Sequence, residues 1–371
     1  MSSEAGKCTV VAKVGSSSIT DDHGAIAVAS VAKLCAEVAQ LRSLGHRCII
    51  VTSGAIAAGL PLLGLGGTRR PRDAQTLQAV SAVGQGRLIG HYMDALAGHG
   101  LVGGQVLLAP LDFVTRSQYL HARGTMQRLL DLGVVPVVNE NDAIADDEIR
   151  FGDNDRLAAL VAHLVDADHL VLLTDTPGVF TADPRRHAAA SLIEEIVEFD
   201  HELESVAGGT GTVRGSGGMA SKLAAAKIAT WSGVRTVIAH ADRDDVLLDA
   251  VNGVSGVGTV FVPKSHRLPA RKLWIAFAVA AEGQVTVDDG ARRALLERNV
   301  SLLAAGVVGV DGSFDAGAAV EVRGPDGVVF AKGLSRHAAT ALRAIAGRRT
   351  SELPDGAPHE VIHRDDLVML P

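Results

Sequence analysis

From Lys7 to about residue 262, short apolar runs alternate with longer amphipathic stretches. KCTVVAKVG (7–15) has the near-continuous apolar character of a strand covered on both faces. AIAVASVAKLCAEVAQLRSLG (25–45) spaces its apolar residues as a helix does, and Gly45 stands where helices commonly end. A strand over RCIIVTSG (47–54) and a helical stretch over about 74–98 follow. Next come strand VGGQVLLA, helix RSQYLHARGTMQRLLDLG, strand VVPVVNE, helix NDRLAALVAHLVD and strand DHLVLLTD. After an irregular insert the pattern resumes with helix ASKLAAAKIATWSG and strand RTVIA. Buried strands separated by helices predict an α/β fold, a mostly parallel sheet sandwiched by helices. Ligands of such sheets gather beyond the C-terminal strand ends. The polar loops VGSSS, TSGA, NENDA and TDTPGVF are therefore expected to converge on one edge.

The texture changes after Pro263. KSHRLPARK reads as a basic linker, and beyond it short runs such as QVTVDDGA, GVVGVDGSF and AAVEVRGPDGVVFAKG predict a small β-rich domain. The Asp-Gly pairs at 289–290, 311–312 and 326–327 are its expected turns. The expected domains are thus residues 1–265 and 266–371.

Composition narrows the function classes. With 371 residues, 47% hydrophobic and 21% charged, the chain is long enough for two domains and is neither disordered nor fibrous. The longest apolar runs, such as AIAAGLPLL from Ala55, fall short of the roughly 18 residues of a membrane span. The polar start MSSEAGK lacks the features of a secretory signal, so the chain is expected in the cytoplasm and off the membrane. Cys8, Cys35 and Cys48 are odd in number and form no metal-ligand spacing, which disfavours a disulfide framework or a zinc site. A net charge of −7 argues against general nucleic-acid binding. Residues 271–371, with 12 basic and 13 acidic side chains, are close to neutral. Only 8 of the 35 basic residues are lysine, so Lys13 and Lys222, each beside glycine-bearing loops, stand out.

Five segments carry candidate chemistry. In VVAKVGSSS (10–18), Lys13 and the turn after it could meet a phosphate, or Lys13 could be a surface residue at a strand end. In VTSGAIAAG (51–59), Ser53 and Gly54 occupy a strand-to-helix turn suited to an anion, or Ser53 is a plain helix cap. In VVNENDAIADDEIRFGDNDRLAAL (137–160), Asn139, Asp142, Asp153, Asn154 and Asp155 form a dense carboxylate-amide cluster fit to hold an ammonium or order lysines. Thr174 and Asp175 end a buried strand in LLTDTPGVFTADPR (172–185). In GGTGTVRGSGGMASKLAAAK (208–227), glycine-rich backbone leads into a helix bearing Lys222, an anion-binding arrangement or else a linker. No Walker A loop and no G-x-S-x-G occurs. Two lysines in separate loops with carboxylates between them suit phosphoryl transfer, which needs cations on its oxygens and an acceptor in line. The residues themselves therefore point to an ATP-dependent kinase of unspecified acceptor.

Taken in order, VVAKVGSSS, VTSGAIAAG, VVPVVNENDAIA, FGDNDRLAA, LLTDTPGVFTADPR and GSGGMASK resemble the glutamate 5-kinase branch of the amino acid kinase family. The remainder resembles a PUA domain. The resemblance implies transfer of the γ-phosphoryl of ATP, accompanied by Mg²⁺, to the γ-carboxylate of L-glutamate, the first step of proline biosynthesis. By that resemblance Lys13 and Lys222 neutralise the transferring phosphoryl and Asp155 orients them, with Asp153 assisting. Ser53, Asn139, Asp142 and Asn154 hold glutamate, Asp142 serving the ammonium. ATP falls to Lys13, Thr174, Asp175 and the stretch Ser216, Gly217, Gly218, Met219, Ala220, Ser221 and Lys222. No protein ligands for the metal are implied. Family members often carry threonine at the positions of Ser216 and Ala220, so no hydroxyl contact is available from position 220. The resemblance further implies feedback inhibition by proline and a homodimer or homotetramer. The alternatives are acetylglutamate kinase, UMP kinase, aspartokinase, a nicotinamide-binding oxidoreductase, or an RNA-binding role through the PUA-like domain.

Overall fold

The computed structural model describes residues 6–21, 25–65, 71–113, 115–144, 154–182, 187, 189–199, 218–264, 268–353 and 358–370. The chain divides into two compact units, residues 1–267 and 268–371.

The first unit is built on an eight-stranded sheet. Its strands are β1 (Thr9–Val14), β2 (Arg47–Val51), β3 (Gly103–Leu108), β4 (Val135–Glu140), β5 (His169–Thr174), β6 (Glu195–Ile196), β7 (Arg235–His240) and β8 (Gly258–Phe261). Their order is β3-β4-β2-β1-β5-β7-β8-β6. All neighbours pair in parallel except β7 with β8. β1 and β4 are buried along their whole length, as their apolar runs require, whereas β3, at the sheet edge, is half-exposed. The helices are α1 (Ser16–Ile19), α2 (Val28–Ser43), α3 (Ala55–Leu62), α4 (Ala74–Gly98), α5 (Arg116–Asp131), α6 (Asn154–Leu164), α7 (Met219–Trp231) and α8 (Val246–Asn252). Gly45, just past α2, adopts φ +89°, the left-handed ending its position predicts. One core runs from Val10 and Ala12 of β1 through Leu41, Tyr92 and Val137 to Leu247.

Sequence periodicity does not disclose how close α3 and α4 come. A methyl at Gly84 would lie 1.8 Å from the carbonyl oxygen of Ala55, and one at Gly59 2.1 Å from that of Val80. Glycine at both positions lets the backbones touch and brings α4 over the C-terminal ends of β2 and β4.

The second unit holds a five-stranded sheet, β11 (Val307–Gly312), β9 (Gly283–Val287), β12 (Ala319–Arg323), β13 (Val329–Leu334) and β15 (Leu367–Met369), in that order. A two-stranded sheet pairs β10 (Leu302–Leu303) with β14 (Glu360–Ile362), and α9 (Asp289–Arg298) and α10 (Ala339–Ile345) cover its own core. Asp326-Gly327 forms the expected turn between β12 and β13, with Gly327 at φ +78°. Asp311-Gly312 ends β11 with Gly312 at φ +91°. The expectation at 289–290 is corrected: Asp288 accepts from the Ala291 amide, so Asp289-Gly290 opens α9 instead of making a turn.

Among the described residues no helix is long and apolar enough to cross a membrane. The three cysteines are free thiols, and burial pushes Cys35 and Cys48 up to about 12.

Candidate active site

β1 lies between β2 and β5, where chain order reverses direction across the sheet, and the crevice at its C-terminal end is the expected ligand position. A cleft of about 380 Å³ opens there. Lys13, Ser53, Asn139, Asp142, Asn154, Thr174 and Lys222 all line it. Residues from four strand ends and from the N-terminal turns of α6 and α7 thus meet around one space.

At its floor, Lys13 Nζ lies 2.5 Å from Asp155 Oδ1 and Lys222 Nζ lies 3.2 Å from Asp155 Oδ2. Lys13 is 2% exposed, Lys222 5% and Asp155 0%, so Lys13 is no surface residue. Two buried ammoniums meet on this one carboxylate at the cleft floor, where they can offer positive charge to an anion, and Glu140 and Asp142 line the same cleft. Burial by itself would raise the pKa of Asp155, but the two ammoniums outweigh it and hold the carboxyl below its usual range. Asp155 also sits in the first turn of α6, where the helix dipole favours negative charge. Ser221 donates to Asp155 Oδ2 at 3.0 Å and to the Gly218 carbonyl at 2.8 Å, tying the start of α7 to the same carboxylate.

One side of the cleft is a chain of amides. The two hydrogens of Asn154 Nδ2 face three acceptors, the Thr52 carbonyl at 2.6 Å, Asn139 Oδ1 at 2.7 Å and, sharing one of them, Ser53 Oγ at 2.9 Å. Asn139 Nδ2 donates onward to Gln85 Oε1 at 2.8 Å. Asn154 Oδ1 is buried without a hydrogen-bond partner among the described residues. An unpaired buried carbonyl costs about 1–3 kcal/mol, so the arrangement is held against a penalty. Ser81 donates to Asp142 Oδ2 at 2.8 Å. Between Ser53 and α3, Gly54 takes φ +100°, which lets the chain turn from β2 into the helix. Below it, Thr52 Oγ1 and the Tyr92 hydroxyl share a 2.8 Å hydrogen bond, and burial pushes the phenol further up.

The other side holds Thr174, which donates to Asp175 Oδ1 at 3.1 Å. Asp175 is exposed at the head of the loop after β5 and does not line the cleft. Gly218 and Ala220 are exposed, and Met219 and Ser221 half-buried, at the start of α7. Asp153, Ser216 and Gly217 lie outside the described residues. Ser81 and Gln85 are the site residues that the sequence pattern does not single out; both read as ordinary polar positions of a long helix. Their four-residue spacing, which sets both on one face, is the only signal they carry.

The amino acid kinase family matches residues 9–240, and the PUA domain matches residues 283–356. A glutamate 5-kinase of Pelobacter propionicus is 42% identical over 97% of this chain and 97% of its own. The chain belongs to the glutamate 5-kinases of the amino acid kinase family. A glutamate 5-kinase of Moorella thermoacetica is 43% identical, over 97% of this chain and 96% of that one. Among solved structures, carbamate kinase from Giardia lamblia bound to AMP-PNP shares 16% identity and a TM-score of 0.50, covering 71% of this chain and 100% of that one. At that identity the likeness speaks for the fold alone. The glutamate 5-kinase relatives favour ATP-dependent phosphorylation of glutamate over the other acceptors and over an oxidoreductase.

Proposed function

We propose that the cleft catalyses ATP-dependent phosphorylation of the γ-carboxylate of L-glutamate to L-glutamyl 5-phosphate, and that the residues named above divide this work among them. The carrying observation is the buried Lys13–Asp155–Lys222 triad at the floor of an amide- and hydroxyl-lined pocket. Phosphoryl transfer asks a protein mainly for position and charge neutralisation. Lys13 and Lys222 supply cations to the phosphoryl oxygens from opposite elements, and Asp155 fixes their separation. Ser53, Asn139, Asn154 and Asp142 hold the amino acid, with the carboxylate of Asp142 facing its ammonium. The segment 216–222, with Thr174 and Asp175, holds the nucleotide.

Mg²⁺ bound to the nucleotide shields its phosphate charge and holds its geometry. Among the described residues no group of three or more His, Cys, Asp or Glu side chains is placed to cage a metal. The reading also includes inhibition by proline, tested by titrating proline against the rate, and a homodimer or homotetramer, tested by light scattering. Residues 1–265 would form the catalytic domain and 266–371 the linker and PUA-like domain, acting in the cytoplasm.

The test is ADP release with Mg-ATP against L-glutamate, N-acetylglutamate, L-aspartate and UMP, trapping acyl phosphate with hydroxylamine. Hydroxamate from glutamate alone, abolished in Lys222→Ala, supports the reading; turnover of another acceptor overturns the substrate.

A further inference from the structure

We infer that Gln85 is a positioning residue that sets the hydrogen-bond polarity of the acceptor pocket through the chain Gln85–Asn139–Asn154, and so tunes affinity for the amino acid. The inference rests on the glutamate-kinase reading for the identity of the ligand and on the amide geometry for everything else.

An amide side chain can present either its oxygen or its nitrogen, and only its neighbours decide which. One end of this chain is unambiguous. The Thr52 carbonyl can only accept, so the group 2.6 Å from it on Asn154 is the NH₂. That NH₂ also points at Asn139, so the Asn139 atom 2.7 Å away is its oxygen. Asn139 must then present its own NH₂ to Gln85, whose Oε1 accepts it at 2.8 Å. Gln85 is 9% exposed and Asn139 2%, so little water is at hand to replace a lost partner. The order donor-to-acceptor therefore runs unbroken from Asn154 to Gln85.

The consequence reaches the ligand through Ser53. Its Oγ lies 2.9 Å from Asn154 Nδ2, with which it shares a hydrogen, and because an amide NH₂ cannot accept, the Ser53 hydroxyl keeps its own hydrogen for another direction. Ser53 lines the cleft, where that hydrogen suits an anionic oxygen of the bound amino acid. Without an acceptor at position 85, Asn139 loses the partner that holds its amide one way round. Turning over would set its NH₂ against the NH₂ of Asn154, and the Ser53 hydroxyl would lose its alignment. Among the described residues the hydrogen bond of Gln85 is to Asn139, on the amino-acid side of the cleft, so the effect should fall on the amino acid alone.

The experiment compares the full-length parent with Gln85→Met, which keeps the length of the side chain and removes the amide. Glutamate-dependent hydroxamate formation by the parent tests the function reading first, before any variant is considered. The relay then predicts that Gln85→Met raises KM for glutamate about tenfold or more, the scale of one lost buried hydrogen bond, with KM for ATP unchanged. A double-mutant cycle with Asn154→Ala, read by calorimetric titration of glutamate, should be non-additive, because the two side chains act through Asn139 without touching. Unchanged KM for glutamate, an equal rise in both KM values, or additive losses would overturn the relay. Should Gln85→Met melt below the assay temperature, Gln85→Glu, which keeps an acceptor oxygen, decides: KM for glutamate within about threefold of the parent supports the relay, and a tenfold rise overturns it.

Discussion

Asp155 is the residue on which the site's charge balance turns. It is fully buried between two ammoniums, and removing its charge would take away the carboxylate that Lys13 and Lys222 both contact. Breaking a buried ion pair in this way costs about 3–5 kcal/mol. Asp155→Asn should therefore lower the urea midpoint strongly and abolish hydroxamate formation, whereas Lys222→Ala, which leaves Asp155 paired with Lys13, should cost activity and far less stability. The pH dependence follows from the lowered carboxyl. A carboxylate whose folded pKa lies below its unfolded one contributes stability fully above the unfolded value, about 4, and loses it as pH falls through the folded value. Urea midpoints of the parent should thus carry an acid-limb drop, starting near pH 4, that Asp155→Asn lacks. Equal acid limbs in the two proteins would place the titrating group elsewhere. A milder test concerns Asp142: Ser81→Ala should raise KM for glutamate severalfold without moving KM for ATP, since it removes one hydrogen bond that orients this carboxylate.

At the scale of elements, the parallel sheet and most of its helices were legible, because fully apolar strands and 3.6-residue periodicity are direct signals. The lysines and carboxylates were legible as motifs, and their meeting followed from the rule that strand ends in such sheets share one edge. What periodicity could not convey was contact between elements. The letters DDG at 288–290 suit a hairpin and a helix cap equally, and the fold around Ala291 decides for the cap. Likewise Gly59, Gly84 and Gly86 look alike in sequence but differ in space. Alanine at Gly84 meets the backbone of Ala55, while alanine at Gly86 meets nothing within 4 Å. Gly86→Ala should stabilise by about 0.5–1 kcal/mol, the helix-propensity gain, and Gly84→Ala should destabilise by about 3 kcal/mol or more. Thermal melts read the opposite signs. Because α4 also carries Ser81 and Gln85, Gly84→Ala should raise KM for glutamate as well, and a melt shift without a KM change would mean that α4 moves without disturbing the amides.

For the whole molecule, the arrangement of cores and site makes a sharp claim about what each unit supplies. Every side chain placed at the cleft lies between Lys13 and Lys222, inside the first unit, and that unit has its own core. The second unit has a separate core running from Val285 to Leu367. It is nearly neutral in net charge. If the cleft is complete within the first unit, a chain ending at Arg267 should melt cooperatively and form hydroxamate from glutamate with KM within about threefold of the full-length value. Residues 268–371 expressed alone should likewise show a cooperative β-sheet transition. The decisive outcome is a truncated first unit that melts as one body and yet binds glutamate tenfold more weakly. That result would mean the second unit acts on the cleft itself, since loss of fold would already have been excluded by the melt.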